Sequence, residues 1–260
     1  MSRTGFQFGK RKQVQGEPVQ FIEDSKFSIG GVYSLFMPDS GNAVYHIHLT
    51  NYNLYNNALP APFDLSSSNT TTSGSLSPTT FATSLFFKPD GTRFFYGTDA
   101  QKRIYSWDLA TPWDITTRTG TRKNSPMTFP FVHGLYFSQD GLNCVIADGS
   151  NGIRKCELAT AWDITTINSG TIIYNAPDYL DGIAFYDSGK KFIYSTRDAA
   201  KLVLFEVSAP YNFNTIIKSY TYTDAVNFTS GGLGMSATSD GKKIISGRGT
   251  SKIVLLNNNF

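Results

Sequence analysis

The decapeptide D-L-A-T-P-W-D-I-T-T, residues 108–117, decides the fold because it returns. It reappears as E-L-A-T-A-W-D-I-T-T at 157–166 and, in worn form, as E-V-S-A-P-Y-N-F-N-T at 206–215. An earlier copy, A-L-P-A-P-F-D-L-S-S, occupies 58–67. The central aromatic is Phe63, Trp113, Trp162 and Tyr211, so the copies step by 50, 49 and 49 residues. A fixed period of this size marks a repeat architecture.

A second landmark keeps the same time. Each unit carries an apolar strand and then a turn ending in glycine. The strands read Y-S-L-F-M from Tyr33, S-L-F-F from Ser84, G-L-Y-F from Gly134, G-I-A-F from Gly182 and G-M-S-A from Gly234. The turn glycines are Gly41, Gly91, Gly141, Gly189 and Gly241, in steps of 50, 50, 48 and 52. Their triplets, D-S-G, P-D-G, Q-D-G, D-S-G and S-D-G, suit hairpins because glycine takes positive φ without a Cβ clash. A second and a third strand follow, the aromatic motif bends the chain, and a polar fourth strand such as T-G-T-R-K closes the unit. Four strands per unit, repeated, predict the blades of a β-propeller.

Five glycine turns predict five blades. The last unit ends at Phe260, after its third strand and without the aromatic motif. The segment E-P-V-Q-F-I-E-D, residues 17–24, is an orphan strand that fits as the missing outer strand of the fifth blade. Residues 19–23 are expected beside residues 253–256, covering an open sheet edge. The expected organisation is a basic, flexible arm at 1–16, carrying Arg3, Lys10, Arg11 and Lys12, and one five-bladed domain at 17–260.

Composition narrows the function classes. The net charge of +3 is too small and too spread to point to nucleic acid. No run of about 18 apolar residues occurs, so no membrane span is expected. The basic start has no apolar stretch behind it, so it is not read as a secretory signal. Cys144 and Cys156 sit on strands joined by the turn at 149–152 and are expected to be buried free thiols.

The motif reads first as structure. Pro62, Pro112 and Pro210 fix φ at a bend. Asp64, Asp114, Asp163 and Asn212 can accept from nearby backbone N–H groups. The aromatics Phe63, Trp113, Trp162 and Tyr211 are expected to pack on the next blade. His46 and His48 share a strand face but lack an evident third metal ligand, and no cofactor is expected. The residues that open the innermost strands, Tyr33, Thr83, His133, Asp181 and Leu233, are expected at a channel mouth. His133 and Asp181 fall on adjacent blades and form the candidate polar ligand site. Glycosidases need two carboxylates about 5–10 Å apart, yet the innermost strands offer none, and only Asp178 and Asp181 are expected near a mouth. No G-x-S-x-G, H-E-x-x-H or Walker-type loop is present.

A unit reading F-x-P-D-G, then a hairpin, then D-L-A-T-P-W-D-I-T-T resembles the propeller repeats of virion and tail-associated proteins of tailed bacteriophages. Residues 87–91 with 108–117 carry the likeness best, and residues 134–166 nearly as well, with Gln139 in place of proline. The resemblance spans about residues 27–260 and transfers no catalytic residue. It implies no fixed biochemical activity; taken with the basic arm at 1–16, the expected role is a non-enzymatic virion component made in the host cytoplasm and present in multiple copies. Such a component is a tail adhesion module or a decorating protein, held to other virion proteins by its arm, with a bacterial surface glycan as the expected target. The alternative is a cellular propeller enzyme or small-molecule binder of glycosidase or lactonase type. Neighbouring genes, virion or metabolic, separate the two.

Overall fold

The computed structural model describes residues 21–28, 31–76, 81–149, 152–196, 201–223, 234–248 and 252–258. The chain folds as an all-β propeller with four-stranded antiparallel blades. The first sheet holds β2 (Val32–Phe36), β3 (Ala43–His48), β4 (Asn53–Ala58) and β5 (Asn69–Ser75). The second holds β6 (Ala82–Phe87), β7 (Arg93–Thr98), β8 (Arg103–Leu109) and β9 (Arg118–Asn124). The third holds β10 (Gly134–Phe137), β11 (Asn143–Ala147), β12 (Ile153–Glu157) and β13 (Thr171–Tyr174). The fourth holds β14 (Leu180–Tyr186), β15 (Lys191–Thr196), β16 (Lys201–Val207) and β17 (Ile216–Thr223). In the fifth, β18 (Met235–Ala237), β19 (Lys243–Arg248) and β20 (Lys252–Asn258) are joined by β1 (Phe21–Ser28), which lies beside β20. Strand β2 packs on β6, β6 on β10, β10 on β14, β14 on β18, and β18 back on β2.

The register of β1 differs from the sequence expectation. Glu23 lies opposite Leu256, but Ile253 and Val254 face Phe27 and Lys26, with a bulge between Glu23 and Ser25. The bulge takes up Asp24 and lets the strand run on to Ser28, matching the length of β20. Residues 17–20 lie outside the described residues.

The turn glycines and motif aromatics form one device. Phe63, Trp113, Trp162 and Tyr211 all have positive φ, between 54° and 69°, a region that bulky residues enter only when held there. The hold is a backbone bond. Each aromatic N–H donates to the carbonyl of its own turn glycine, at 2.9 Å for Gly41, Gly91 and Gly189 and 3.0 Å for Gly141. The ring then lies flat over that glycine. At Gly91, itself at φ 73°, a Cβ would stand inside the Trp113 indole. The next residue locks the bend. Asp114 Oδ1 accepts from Thr116 N at 3.0 Å and Asp163 Oδ1 from Thr165 N at 3.1 Å, while Asp64 and Asn212 do the same for Ser66 and Asn214.

The rings reach the preceding sheet, not the next one as the sequence suggested. Trp113 lies 6.4 Å from Phe36 and 6.2 Å from Tyr45 of the first sheet. Trp162 lies 6.5 Å from Phe86 and 6.3 Å from Phe95 of the second. The reason is geometric: a ring laid over its own turn glycine faces the sheet behind. Polar groups of that sheet cap the carbonyls of the bend. Tyr45 Oη donates to the Trp113 carbonyl at 2.9 Å, and an Arg93 guanidinium nitrogen donates to the Trp162 carbonyl.

The fifth sheet has no motif aromatic, and the fourth supplies one. Gly241 is covered by the ring of Tyr186, carried on β14. At the position where Phe36, Phe86 and Tyr136 reach toward the next motif ring, the fourth sheet carries Ala184.

Two further sequence readings meet the structure here. Cys144 and Cys156 face each other across β11 and β12 as buried free thiols. His46 and His48 flank the same ring, Tyr55, at 5.0 and 5.9 Å. His46 is 2% exposed, and its Nδ1 accepts from Asn57 Nδ2 at 2.8 Å. Burial, aided by His48, lowers its pKa from 6.5 to about 3.

Two predictions follow from this packing. Trp113→Ala destabilises the fold by about 3 kcal/mol in denaturant unfolding, the low end for a large aromatic because the indole is only half-buried. Tyr186→Ala is at least as damaging while Tyr186→Phe is mild, since the ring covers Gly241. For His46, the unfolded chain takes up a proton near pH 6.5 and the folded chain only near 3. Its stabilising effect is therefore complete above pH 6.5 and falls by about 1.4 kcal/mol per pH unit as acid is added. His46→Gln should flatten that part of the stability–pH curve.

Candidate functional site

The inner strands β2, β6, β10, β14 and β18 run toward their turn glycines, so aligning the glycines aligns the channel. The residue five before each glycine is Phe36, Phe86, Tyr136, Ala184 or Ser236. The residue two before each is Asp39, Pro89, Gln139, Asp187 or Ser239. Both sets line one cavity of about 730 Å³ at the centre of the sheets. The first set is its wall. Phe36 and Phe86 meet edge to face at 5.5 Å, as do Phe86 and Tyr136 at 5.3 Å, forming an aromatic arc across three sheets. The second set is its mouth.

The strands close together beyond the wall because the residue seven before each glycine is small: Ser34, Ser84, Gly134, Gly182 and Gly234. A Cβ on Gly134 would press on the backbone of Ile183, and one on Gly234 on the backbone of Ser34 and Leu35. The cavity is therefore a cup that widens toward the hairpin turns.

The mouth is acidic on one side. Asp39, Asp187 and Asp240 line it and are exposed, and Lys191 is the cation in the lining. Asp39 Oδ1 accepts from Ser239 N at 2.8 Å, which latches the first sheet to the fifth. Hydrogen bonds from the Thr238 hydroxyl and the Lys242 backbone hold Asp240 below the usual carboxylate range. Burial, the Tyr211 hydroxyl and the Asp39 charge together push the Tyr136 phenol far up. The fourth turn differs from the others: Asp187 and Ser188 have φ of 50° and 53°. Among the described residues, the Asp187 carboxylate takes no hydrogen bond or ion pair.

The residues that the sequence placed at a channel mouth occupy the opposite end. The structure brings His133 and Asp181 together, with Nδ1 3.3 Å from Asp181 Oδ1 and Nε2 3.0 Å from Asp99 Oδ2. Tyr179 Oη stands 3.4 Å from the same Nε2. A cationic imidazole donates to both carboxylates at once, and a neutral one to only one. His133 is 5% exposed, Asp181 is fully buried, and neither lines the cup. Thr83 is also buried and donates to the Val132 carbonyl at 2.7 Å, and Tyr33 stacks on Tyr52 at 5.9 Å. Thr83 and His133 thus link neighbouring sheets, whereas Tyr33 stacks within the first. Asp178 pairs with Lys201 at 3.6 Å. Leu233, Arg3, Lys10, Arg11 and Lys12 lie outside the described residues.

Sequence reasoning missed Asp39, Asp187 and Asp240 as channel groups. It read them as hairpin chemistry and looked for carboxylates only on the strands and at the other mouth. For Asp39 and Asp187 a signal was available, because the position two before the glycine recurs in every unit; Asp240 stands one before Gly241 and carries no such signal.

No protein-family profile matches the chain. No curated protein matches it either. Solved structures do. A chain of the mitotic checkpoint complex is similar with a TM-score of 0.54 and 10% identity, covering 99% of this chain and 98% of that one. The β-propeller domain of Myceliophteria thermophila Cps50 (Swd1) is similar with a TM-score of 0.50 and 10% identity, covering 92% of this chain and 99% of that one. At this identity the likeness shows the fold alone, and that fold is a β-propeller.

Proposed function

We propose that this chain is a non-enzymatic bacteriophage virion component, a five-bladed propeller whose ring is closed by β1 beside β20. It acts as a tail-associated adhesion module whose target is a carbohydrate of the bacterial surface. The observation that carries the binding role is the central cup, with its aromatic arc and its hydroxyl, amide and carboxylate mouth. Sugars present C–H faces that stack on aromatic rings and hydroxyls that need polar partners, and a cup of about 730 Å³ has the size of a small-molecule site. The cyclic packing of β2, β6, β10, β14 and β18 supports the five-bladed ring. The virion setting rests on the resemblance of the 108–117 repeat.

One cup binds a short glycan weakly, and many copies on one particle raise the avidity without new contacts. Protein clustered on beads should retain host envelope polysaccharide that the free protein loses on washing. Absence of retention would leave a purely decorating role, and released sugar fragments would overturn the non-enzymatic reading. The basic segment at 1–16 is the proposed attachment to other virion proteins. Its deletion should prevent incorporation into particles that otherwise lack this subunit, while normal incorporation would refute that role.

A further inference from the structure

The two halves of the cup differ in chemistry. The aromatic arc lies on the first three sheets, where Phe36, Phe86 and Tyr136 stand. The opposite side is open because Ala184 and Ser236 replace the large rings. The acids Asp187 and Asp240 stand above this open side and Asp39 beside it on the first sheet; Lys191 lines the cup, and the Lys242 ammonium lies 3.5 Å from Asp240. A neutral ligand would use the arc and leave the Asp187 carboxylate unengaged. An anion would be repelled.

A ligand with an apolar face and a positive head matches both halves. Its face lies on the rings, and its charge meets the carboxylates and the negative ring faces together. Asp187 is the carboxylate best placed for this role, since its turn carries it to the mouth and no described residue occupies it.

We infer that the cup binds an organic ammonium ion, with its apolar face on Phe36, Phe86 and Tyr136 and its N–H groups at Asp187 and Asp39. The inference rests on the cup being a ligand site, not on the virion setting. The ammonium has two chemical sources: a free-amine sugar within an envelope glycan, or a small aromatic amine.

The full chain separates them by titration calorimetry. One arm compares a glucosamine oligomer with its N-acetylated counterpart. The other compares phenethylammonium with 2-phenylethanol. The expected result is binding of at least one amine, at least about ten-fold tighter than its neutral analogue and weakened by salt. The arm that responds identifies the source. Asp187→Asn should lower the amine affinity about five-fold and leave the neutral analogue unchanged. Asn tolerates the positive φ of this turn, so the variant should melt like the parent. Asp187→Lys should abolish amine binding.

Equal affinity for amine and neutral analogue, binding insensitive to both Asp187 variants, or no binding of either amine at millimolar concentration would each overturn the inference. Where the glucosamine arm responds, host polysaccharide retention by clustered Asp187→Lys protein, equal to that of the parent, would overturn it as well and leave the surface-adhesion reading standing.

Discussion

The propeller depends on an aromatic ring laid over a glycine. In four sheets, a bulky residue with positive φ donates its N–H to the glycine carbonyl and covers the glycine with its ring. The contact is local in one sense, since it ties the bend after the third strand to the first hairpin of the same sheet. It is also how one sheet meets another, because the ring packs on the sheet behind it as well as on its own. A change at either partner therefore acts on a sheet and on an interface at once. Glycine is required on one side because any Cβ would displace the ring. On the other side, ring packing, the N–H bond to the glycine carbonyl and the following Asp or Asn together offset the strain of the left-handed backbone.

The fifth sheet shows how far the device can vary. It lacks the motif, and its glycine is covered by Tyr186 from the sheet before it. Ala184 stands where a large ring would otherwise reach forward, and this opens the side of the cup on which the acids sit. The loss of one repeat element thus has a structural remedy and an effect on the cavity in the same place. The asymmetry of the cavity comes from the one unit that departs from the repeat.

Much of the architecture is written in the period. The glycine spacing locates the hairpins, and the alternation around it locates the strands. The direction of packing is not written there. Nothing in D-L-A-T-P-W-D-I-T-T states that Trp113 adopts positive φ, and that one backbone angle turns the ring back toward Phe36 instead of forward. The register of β1 was also hidden, because the bulge at Asp24 leaves no composition signal. At the site, His133 and Asp181 were legible as neighbours, since adjacent units place them at equal positions. The depth of the channel was not legible. It depends on the row from Ser34 to Gly234, whose small residues let the backbones approach and close one end.

The pairing of β1 with β20 joins the segments Phe21–Ser28 and Lys252–Asn258, the most widely separated strand partners among the described residues. Every other strand pair in the protein forms between near neighbours, so four sheets can assemble as the chain emerges, each on the one before. The fifth waits. Its outer strand exists from the start and has nothing to join until the last strand arrives, and bringing such distant segments together carries the largest loop-closure entropy in the fold. Until then both edges stay open to other chains, which makes completion, more than initiation, the stage at which crowded copies are exposed to mispairing.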